Sequence, residues 1–368
     1  MKKKVIRILG WSLFGILALV AISATLIPII PSKAWYIRIF DYPRLQTFFI
    51  SIAALAWYGI FYFKKKKWPL IFISIFLVVA VVQGYKAFPY TPLSTKQVKW
   101  SAKDSLDSNN ISFLISNVLQ SNSSYGLLLK EIKTLQPDIV ITTETDSAWQ
   151  NALASIHVKY KYRVPIPLGN TYGMHLYSSL PLSETQVRFL LEPDIPSIRT
   201  KVEMKSGEII SLFIVHPRPP IPGEDDDSRE RDAEILMVGQ EARKEKGGVI
   251  VAGDFNDVAW SETTELFQEV TGFLDPRRGR GFYNTYHAKY PFFRWPLDHI
   301  FHSNHFTIGK IERLESINSD HFPMFIKLQY EPLRKNEQPP VSPDDDTREK
   351  TEKTIRKGKA DAGGPRGE

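Results

Sequence analysis

The stretch Val249-Ile-Val-Ala-Gly-Asp-Phe-Asn256 decides how this 368-residue chain is interpreted. Its first four residues are apolar and mostly β-branched, which predicts a buried strand. Two polar side chains, Asp254 and Asn256, follow that strand directly. A single Asp in this place is more often a turn former or a helix cap, so the motif needs support from elsewhere in the chain.

Polar side chains also stand at the ends of other predicted strands, which fit residues 111–117, 138–143, 209–215, 297–301 and 324–328. These side chains are Asn117, Glu144, His216, Asp298 and the triplet Ser319-Asp320-His321. Polar residues at one edge of a sheet can assemble a site from distant parts of the chain. Taken singly, His216-Pro217 is also compatible with a turn, and Ser319-Asp320-His321 with an ordinary loop.

The residue types in this set suit phosphodiester hydrolysis. Carboxylate and amide oxygens are the ligands that Mg²⁺, Mn²⁺ and Ca²⁺ prefer. A histidine with a buried Asp partner suits proton transfer, because the carboxylate fixes the tautomer and stabilises the imidazolium. Hydrolysis of a phosphodiester needs a cation to neutralise the phosphoryl oxygens and a base to activate water.

Strands and helices alternate along the middle of the chain. A helix fits residues 125–135, with Ser124 as its cap and Pro137 as its stop, and a long polar helix fits 226–246. Further strands fit 173–178 and 198–204. This alternation, with some strand pairs of antiparallel character, predicts an α/β or α+β sandwich.

Three apolar stretches lie within residues 1–90, at about 5–30, 45–63 and 68–84. Each is near the ~20 residues that an α-helix needs to cross a bilayer. A cleavable signal peptide is the alternative for the first stretch, although two more follow it. The basic clusters Lys2-Lys3-Lys4 and Lys64-Lys65-Lys66-Lys67 place the N-terminus and the second loop in the cytoplasm. Three crossings then carry the remaining chain out of the cytoplasm.

The remaining chain divides into a polar linker at 91–110, a folded domain at 111–330 and a charged tail at 331–368. The tail has almost no apolar residues to bury, so we expect it to be disordered. The chain has a net charge of +7, yet acidic residues outnumber basic ones between 101 and 330. The positive excess therefore bears on membrane topology rather than on nucleic-acid binding. The absence of cysteine excludes disulfides, thiolate metal sites and a cysteine nucleophile.

The order of the polar motifs resembles the endonuclease/exonuclease/phosphatase superfamily over about residues 108–330. That group includes deoxyribonuclease I, the abasic-site endonucleases, the neutral sphingomyelinases and the inositol polyphosphate 5-phosphatases. The resemblance implies an α/β fold, a four-layer α-β-β-α sandwich, here placed after transmembrane helices. Those helices and the run His216-Pro-Arg-Pro-Pro220 are similar to a membrane-anchored bacterial branch of the superfamily.

The resemblance also implies roles for single residues. Glu144 is the principal metal ligand, helped by Asn117 and Asp320, and Asn117 also contacts the substrate. His321 faces the scissile phosphate, oriented by Asp298, and either activates water or stabilises the phosphoryl oxygens.

Three further positions follow the same pattern, with one departure. Asp254 activates or positions water, Asn256 holds a phosphate oxygen and His216 lies beside the phosphate. Deoxyribonuclease I-like members pair this histidine with a Glu on the strand that matches residues 173–178. No acid stands there, and Tyr172 and His175 are the nearest substitutes, so a general-acid role for His216 is in doubt.

An arginine-rich stretch precedes Asp298, and we predict that Arg277, Arg278 and Arg280 bind substrate phosphate. The alternatives are a surface loop packed by its own aromatic residues and a loop lying on the lipid interface. The resemblance implies a hydrolase that uses Mg²⁺ or Mn²⁺. Its substrate is either nucleic acid outside the cytoplasm or a phospholipid head group, and an inactive anchored module that binds a partner is the third alternative. The bilayer itself is contacted through the N-terminal helices, and no protein partner is predicted.

Overall fold

The computed structural model describes residues 2–62, 69–102 and 107–362, which form a helical bundle, a two-sheet domain and a C-terminal helix. The helices before the domain are α1 (Lys2–Leu26), α2 (Trp35–Arg38), α3 (Arg44–Tyr62) and α4 (Pro69–Ala87). The remaining elements are, in chain order, β1 (Asn110–Asn117), α5 (Tyr125–Leu135), β2 (Ile139–Thr143), α6 (Ser147–Ala152), β3 (Tyr162–Ile166), β4 (Met174–Ser178), β5 (Leu182–Arg188), β6 (Ser197–Glu203), β7 (Ile209–Val215), α7 (Arg229–Ala242), β8 (Val249–Asp254), α8 (Glu262–Thr271), β9 (Asp298–His302), β10 (Phe306–Arg313), β11 (Met324–Tyr330) and α9 (Asp345–Ala362).

The strands form two mixed sheets. One has six strands in the order β10-β11-β1-β2-β4-β3, and the other has five in the order β5-β6-β7-β8-β9. In the first sheet β1 is parallel to β2 and antiparallel to β11. In the second, β8 is parallel to β7 and antiparallel to β9. The ends of β1, β2, β7 and β8 therefore lie at the same edges as the starts of β9 and β11.

The two sheets pack face to face, and helices cover both outer faces. Successive side chains of a strand point to opposite faces. Strand β8 is apolar without alternation because both of its faces are buried. Ile250 and Ala252 belong to the core between the sheets, whereas Val249 and Val251 pack with α7 and α8 on the outer face. Helices α5 and α6 cover the six-stranded sheet in the same way. The predicted four-layer α-β-β-α sandwich is confirmed.

Gly253 is required by the close approach of β7 to β8. Its φ is +138°, and a Cβ atom at this position would lie 2.0 Å from the carbonyl oxygen of Val215. No other residue type fits that space without moving the backbone. The glycine thereby allows Asp254 to end the strand beside the last residue of β7.

Helices α1, α3 and α4 pack against one another before the domain. Phe14, Ala21, Ala54 and Phe76 are among the side chains at their shared interface. Residues 12–29 and 70–90 are long and apolar enough to cross a membrane, by length and composition alone. The predicted cytoplasmic loop at 64–67 lies outside the described residues.

Part of the predicted linker packs on the domain. Val98 is fully buried in the core between the sheets, and Trp100 forms a bridge with Ile308. Residues 98–101 therefore continue the fold instead of separating two parts of it.

The prediction of a disordered tail is wrong for most of residues 331–368. After a short 3-10 helix at Pro332–Glu337, α9 packs along α7 with Thr351, Ile355 and Gly358 buried. A Cβ atom on Gly358 would lie 2.3 Å from that of Ala233, so the glycine allows the two helices to approach closely. Because α9 packs on the existing surface of α7, one isoleucine and a few small residues are enough to hold it in place. The helix needs no core of its own.

Candidate active site

The polar residues predicted from strand ends meet at one edge of the two sheets. Asn117 ends β1, Glu144 follows β2, Asp254 ends β8, Asp298 begins β9 and His216 follows β7. His321 reaches the same place from the loop before β11. Glu144 and Asn256 have φ values of +60° and +51°, a left-handed conformation that is uncommon for non-glycine residues and is often found at functional sites.

Asn117 links the carboxylates of the two sheets. Its Nδ2 donates to Glu144 Oε1 at 2.7 Å and to Asp254 Oδ2 at 3.0 Å. Its Oδ1 accepts from the backbone of Leu119 at 3.0 Å. In this arrangement the amide nitrogen faces the acids, so Asn117 orients the carboxylates and does not present its oxygen to them.

His321 lies between two carboxylates. Its Nδ1 is 2.7 Å from Asp298 Oδ2, and its Nε2 is 3.6 Å from Asp254 Oδ2. Burial alone would lower the pKa of His321, but Asp298 and then Asp254 outweigh it and raise the pKa to about 10. In the metal-free protein His321 is therefore held as an imidazolium at neutral pH, with Asp298 fixing the ring.

Asp254 stays ionised although its side chain is fully buried. Burial by itself would raise its pKa, but His321, His216 and the hydrogen bond from Asn117 together lower it. The backbone N–H of Asn256 also donates to Asp254 Oδ1 at 2.9 Å. This carboxylate can therefore accept a proton or orient a water molecule beside His321.

Ser319 positions the loop that carries His321. Its hydroxyl donates to the carbonyl oxygen of Asn117 at 2.9 Å and accepts from the backbone N–H of His321 at 3.0 Å. Asp320 is half-buried, and its carbonyl oxygen accepts from Ala288 at 2.6 Å. The serine of the Ser-Asp-His triplet thus anchors the loop to the end of β1.

His216 lacks a direct acid partner on its far side. Its Nε2 is 3.9 Å from Asp254, whereas its buried Nδ1 has no hydrogen-bond partner among the described residues. The ring of Tyr172 lies 5.5 Å from the His216 ring, and the Tyr172 hydroxyl donates to Glu224 at 2.7 Å. Burial lowers the pKa of His216, so this histidine is neutral near pH 7.

Glu224 was not predicted from the sequence, and His175 does not join the site. Glu224 belongs to the acidic run after His216-Pro217, and this proximity in sequence was the only signal for it. His175 pairs with Tyr177, with 3.1 Å between Nδ1 and the hydroxyl. Of the two suggested substitutes for the missing acid, only Tyr172 contacts His216.

Asn256 holds the surrounding loops together. Its Nδ2 donates to the carbonyl oxygen of Pro217 at 3.0 Å. Its own carbonyl oxygen accepts from Arg231 at 2.8 Å and from the Tyr42 hydroxyl at 3.1 Å. The loop after β8 is therefore bound both to α7 and to the segment between α1 and α3.

The donor set fits a hard divalent cation. Burial raises the pKa of Glu144 to about 7, and the nearby charges of Asp320 and Asp254 add to this effect. Asp254, Asp298 and His321 also offer ligand atoms within 4.8 Å of one another. A bound cation would remove the repulsion among these acids, as expected for an oxygen-rich Mg²⁺ or Mn²⁺ site. Glu144 and Asp320 are the carboxylates that would hold it, which leaves Asp254 to orient water.

Arg277 does not face the site. It is fully buried, pairs with Asp275 at 2.7 Å and contacts His299 Nδ1 at 2.7 Å and the carbonyl oxygen of Asp298 at 3.2 Å. The prediction that it binds substrate phosphate is therefore wrong, because its guanidinium is already committed to supporting the start of β9. The available signal in the sequence was Asp275, an acid two residues before Arg277 that could pair with it.

Arg278 and Arg280 hold the segment that leads from the N-terminal helices into the domain. The guanidinium of Arg278 lies 5.6 Å from the Tyr90 ring, and that of Arg280 lies 4.5 Å from the Trp100 ring. Arg280 also donates to the carbonyl oxygen of Val98 at 2.5 Å. These contacts favour a structural role over the predicted phosphate contact.

Comparison with known proteins places this geometry in a family. The model of the Endonuclease/Exonuclease/phosphatase family matches residues 110–321, more than half of the chain. A comparison with curated proteins finds no match.

Three solved structures show the extent of the structural likeness. D. rerio TDP2 complexed with single strand DNA product is 18% identical, with a TM-score of 0.50 over 61% of this chain and 100% of that chain. The human Nocturnin catalytic domain with bound sulfate anion is 19% identical, with a TM-score of 0.48. The match covers 60% of this chain and 95% of that chain. An endonuclease/exonuclease/phosphatase from Bacteroides vulgatus is 17% identical, with a TM-score of 0.49. The match covers 60% of this chain and 99% of that chain.

At these identities the similarity to the D. rerio protein supports the fold, and the assignment rests on the family match together with the site. The matched region contains Asn117, Glu144, Asp254, Asp298 and His321, which the fold brings to one edge. The chain therefore belongs to the Endonuclease/Exonuclease/phosphatase family, a family of phosphoester hydrolases.

Proposed function

We propose that this protein is a membrane-anchored, divalent-metal-dependent phosphodiesterase whose site lies outside the cytoplasm. The main observation behind this proposal is a buried arrangement in which His321 lies between Asp298 and Asp254, next to Glu144. A cation held by the carboxylates would neutralise the phosphoryl oxygens and the leaving group.

The protein's own groups divide the remaining work. His321 is held between two carboxylates, so it donates a hydrogen bond to a phosphoryl oxygen instead of accepting a proton from water. Asp254, which stays ionised, orients the attacking water and accepts its proton. His216 lies beside the phosphate as a neutral donor or acceptor, backed by Tyr172 and Glu224.

The packing of the bundle on the domain supports the proposed topology. The end of α1, the start of α3 and the end of α4 all lie beside the domain, where Lys33 pairs with Asp232 and Lys86 with Glu265. The start of α1 and the end of α3 therefore lie at the opposite end of the bundle. The cluster Lys2-Lys3-Lys4 stands at the start of α1, so the positive-inside rule favours a cytoplasmic position for that end of the bundle.

A loop at the mouth of the site favours a phospholipid head group as the second candidate substrate, beside nucleic acid. Its side chains Tyr290, Phe292 and Phe293 are exposed, Phe292 to 82%. The carbonyl oxygen of Phe292 accepts from Gln46 Nε2, in the first turn of α3, at 2.7 Å. Exposed apolar side chains beside the end of a membrane helix are suited to the lipid interface.

The same loop contacts the catalytic residues, which supports a position of the mouth of the site near that interface. The ring of Tyr286 lies 5.0 Å from the ring of His321, and Ala288 donates to the carbonyl oxygen of Asp320. Phe49 lies one helical turn beyond Gln46 and is 62% exposed. Residues three apart share a helix face, so Phe292 continues the outward-facing apolar surface of α3.

Hydrolysis of bis-(p-nitrophenyl) phosphate by the intact chain, purified in detergent, tests the chemistry. We expect activity with Mg²⁺ or Mn²⁺ that EDTA abolishes and that Glu144→Ala and His321→Ala each remove. Activity that survives Glu144→Ala would refute the metal assignment. A complete lack of hydrolysis with either metal would favour the inactive binding module.

A substrate panel then separates the candidates: plasmid DNA, RNA, sphingomyelin vesicles and phosphoinositide vesicles. Phe292→Ser/Phe293→Ser is expected to reduce turnover on vesicles while leaving bis-(p-nitrophenyl) phosphate turnover unchanged. Cleavage of DNA or RNA with no vesicle activity would select the nuclease. A reporter fused to the C-terminus that is active only in the cytoplasm would overturn the proposed topology.

A further inference from the structure

A second cleft lies between the membrane helices and the C-terminal helix, apart from the catalytic residues. Its volume is about 820 Å³, which is within the size range of small-molecule sites. The end of α1 and residues Val82 and Lys86 of α4 form one side. The start of α8 and residues Lys350, Lys353 and Lys357 of α9 form the other.

One side of this cleft is apolar and the other side is charged. Its bundle side carries Ile29, Ile30 and Val82, whose side chains are 72%, 46% and 39% exposed. Its domain side is charged, and the whole cleft is lined by eight basic and four acidic side chains. An apolar wall next to an excess of positive charge fits a ligand with an anionic head and an apolar body.

Most of these cations are already paired, but two lysines of α9 are not. Lys33 and Lys350 both contact Glu262, and Lys86 contacts Glu265. Lys353 and Lys357, by contrast, have no ion pair or hydrogen bond in the described part of the chain. They lie four residues apart and so share one face of the helix.

Two largely buried arginines add positive charge to the lining of the cleft. Arg38 and Arg44 line it and are each only 7% exposed. Both pair with Asp41, yet the Nε atom of each has no partner among the described residues. One acid for two arginines leaves this cluster with a net positive charge, which favours an anionic group in the cleft.

We propose that this cleft binds an anionic phospholipid, with its phosphate beside Lys353 and Lys357 and its acyl chains along α1 and α4. The inference rests on the proposed membrane insertion of those helices. A zwitterionic head group fits less well, because its ammonium would meet the same lysines. The charged C-terminal helix thereby becomes a lipid-binding element at the membrane surface.

Lipid retention by the intact chain tests this site without any contribution from hydrolysis. The protein is purified in detergent with EDTA and mixed with equal phosphatidylglycerol and phosphatidylcholine, and bound lipids are counted by native mass spectrometry. We expect preferential retention of phosphatidylglycerol. Because each lysine near a lipid surface contributes roughly a fivefold factor, Lys353→Glu/Lys357→Glu should weaken it by at least about tenfold.

Arg356→Glu/Lys359→Glu is the matched control, since it makes the same change in charge on exposed residues of α9 that do not line the cleft. We expect this control to retain the lipid. Equal loss in both double variants, or no lipid preference in the unaltered protein, would overturn the proposal. Competition by free glycerol phosphate as strong as by the lipid would also overturn it, because the acyl chains would then contribute nothing.

The outcomes are separable from those for the catalytic function. Extraction of the protein from membranes by alkaline carbonate would refute the membrane anchoring on which both rest. A membrane-integral protein that hydrolyses phosphodiesters but shows no lipid preference would refute the cleft alone. Equal thermal unfolding of both double variants in lipid-free detergent confirms that α9 is still folded.

Discussion

Replacing Glu144 by Gln should have opposite effects on the metal-free and the metal-bound protein. In the metal-free protein, burial and then the neighbouring acids raise the pKa of Glu144 from 4.5 to about 7. The ionised side chain is therefore destabilising at pH 8, and the neutral amide removes that cost. With Mg²⁺ present, the same change removes a ligand charge and should abolish most of the stabilisation by the metal.

The magnitude follows from the pKa. Ionising this group at pH 8 costs about 3 kcal/mol in the folded protein relative to the unfolded chain. The side chain is partly exposed, so solvent reduces the effect to about 1–2 kcal/mol. For a domain of this size that corresponds to a rise in melting temperature of roughly 2–8 °C in EDTA. Metal at a hundred times its Kd stabilises the unaltered protein by about 2.7 kcal/mol.

The sign of the pH dependence is also determined. The folded pKa lies above the unfolded one, so the folded state binds the proton more tightly and loses stability as pH rises from about 4.5 to about 7. The advantage of Glu144→Gln is therefore absent below about pH 4.5 and complete above about pH 7. Thermal unfolding of the intact chain at pH 4.5, 6 and 8, with EDTA and with Mg²⁺, measures it.

Glu208→Gln serves as the control, because this acid is exposed and precedes β7, whose other end carries His216. It should change neither the metal-free stability nor the response to Mg²⁺. The reasoning is refuted if Glu144→Gln lowers the melting temperature in EDTA at pH 8. It is equally refuted if the variant keeps the full stabilisation by Mg²⁺.

Three other substitutions have defined outcomes. Asp298→Asn should lower the turnover of bis-(p-nitrophenyl) phosphate by about 10²–10⁴-fold and keep the thermal response to Mg²⁺; loss of that response would instead make Asp298 a ligand. Arg277→Ala leaves Asp275 buried and unpaired, so unfolding by denaturant should show a loss of about 3–5 kcal/mol, whereas a loss below 1 kcal/mol would contradict the buried pair. Ile355→Ala should release α9 and allow protease cleavage near residue 344 with little effect on turnover, and unchanged protection would show that other contacts hold the helix.

Features that depend on local pattern were predictable from the sequence. The apolar run 249–252 predicts a strand buried on both faces, and its polar end predicts a residue at a sheet edge. Asn117, Glu144, Asp254 and Asp298 lie at such ends, and the fold brings them together as expected. His321 was predictable because the Ser-Asp-His triplet precedes a recognisable strand.

Features that depend on tertiary partners were not predictable in the same way. The sequence suggested that Arg277 was free to bind phosphate. In the structure its guanidinium pairs with the buried Asp275 and donates to the start of β9. Helix α9 has too little apolar surface to fold alone and is ordered because α7 supplies the other half of the interface. Glu224 reaches the site by accepting a hydrogen bond from the hydroxyl of Tyr172, whose ring lies beside His216, and this contact is made between two loops.

The contact between the N-terminal region and the catalytic loop changes how substrate preference can be tested. The Tyr42 hydroxyl and Arg231 both donate to the carbonyl oxygen of Asn256, and Trp260 donates to that of Asp41 at 2.8 Å. A fragment that begins near residue 100 would lose Tyr42 and expose Trp260, which is 1% exposed in the intact chain.

Low activity of such a fragment would follow from a loosened Asn256 loop, whatever the substrate. Loss of turnover on vesicles after truncation therefore does not identify a lipid enzyme. The exposed pair Phe292 and Phe293 leaves the Asn256 contacts intact, so changing it in the whole chain separates membrane contact from the integrity of the site.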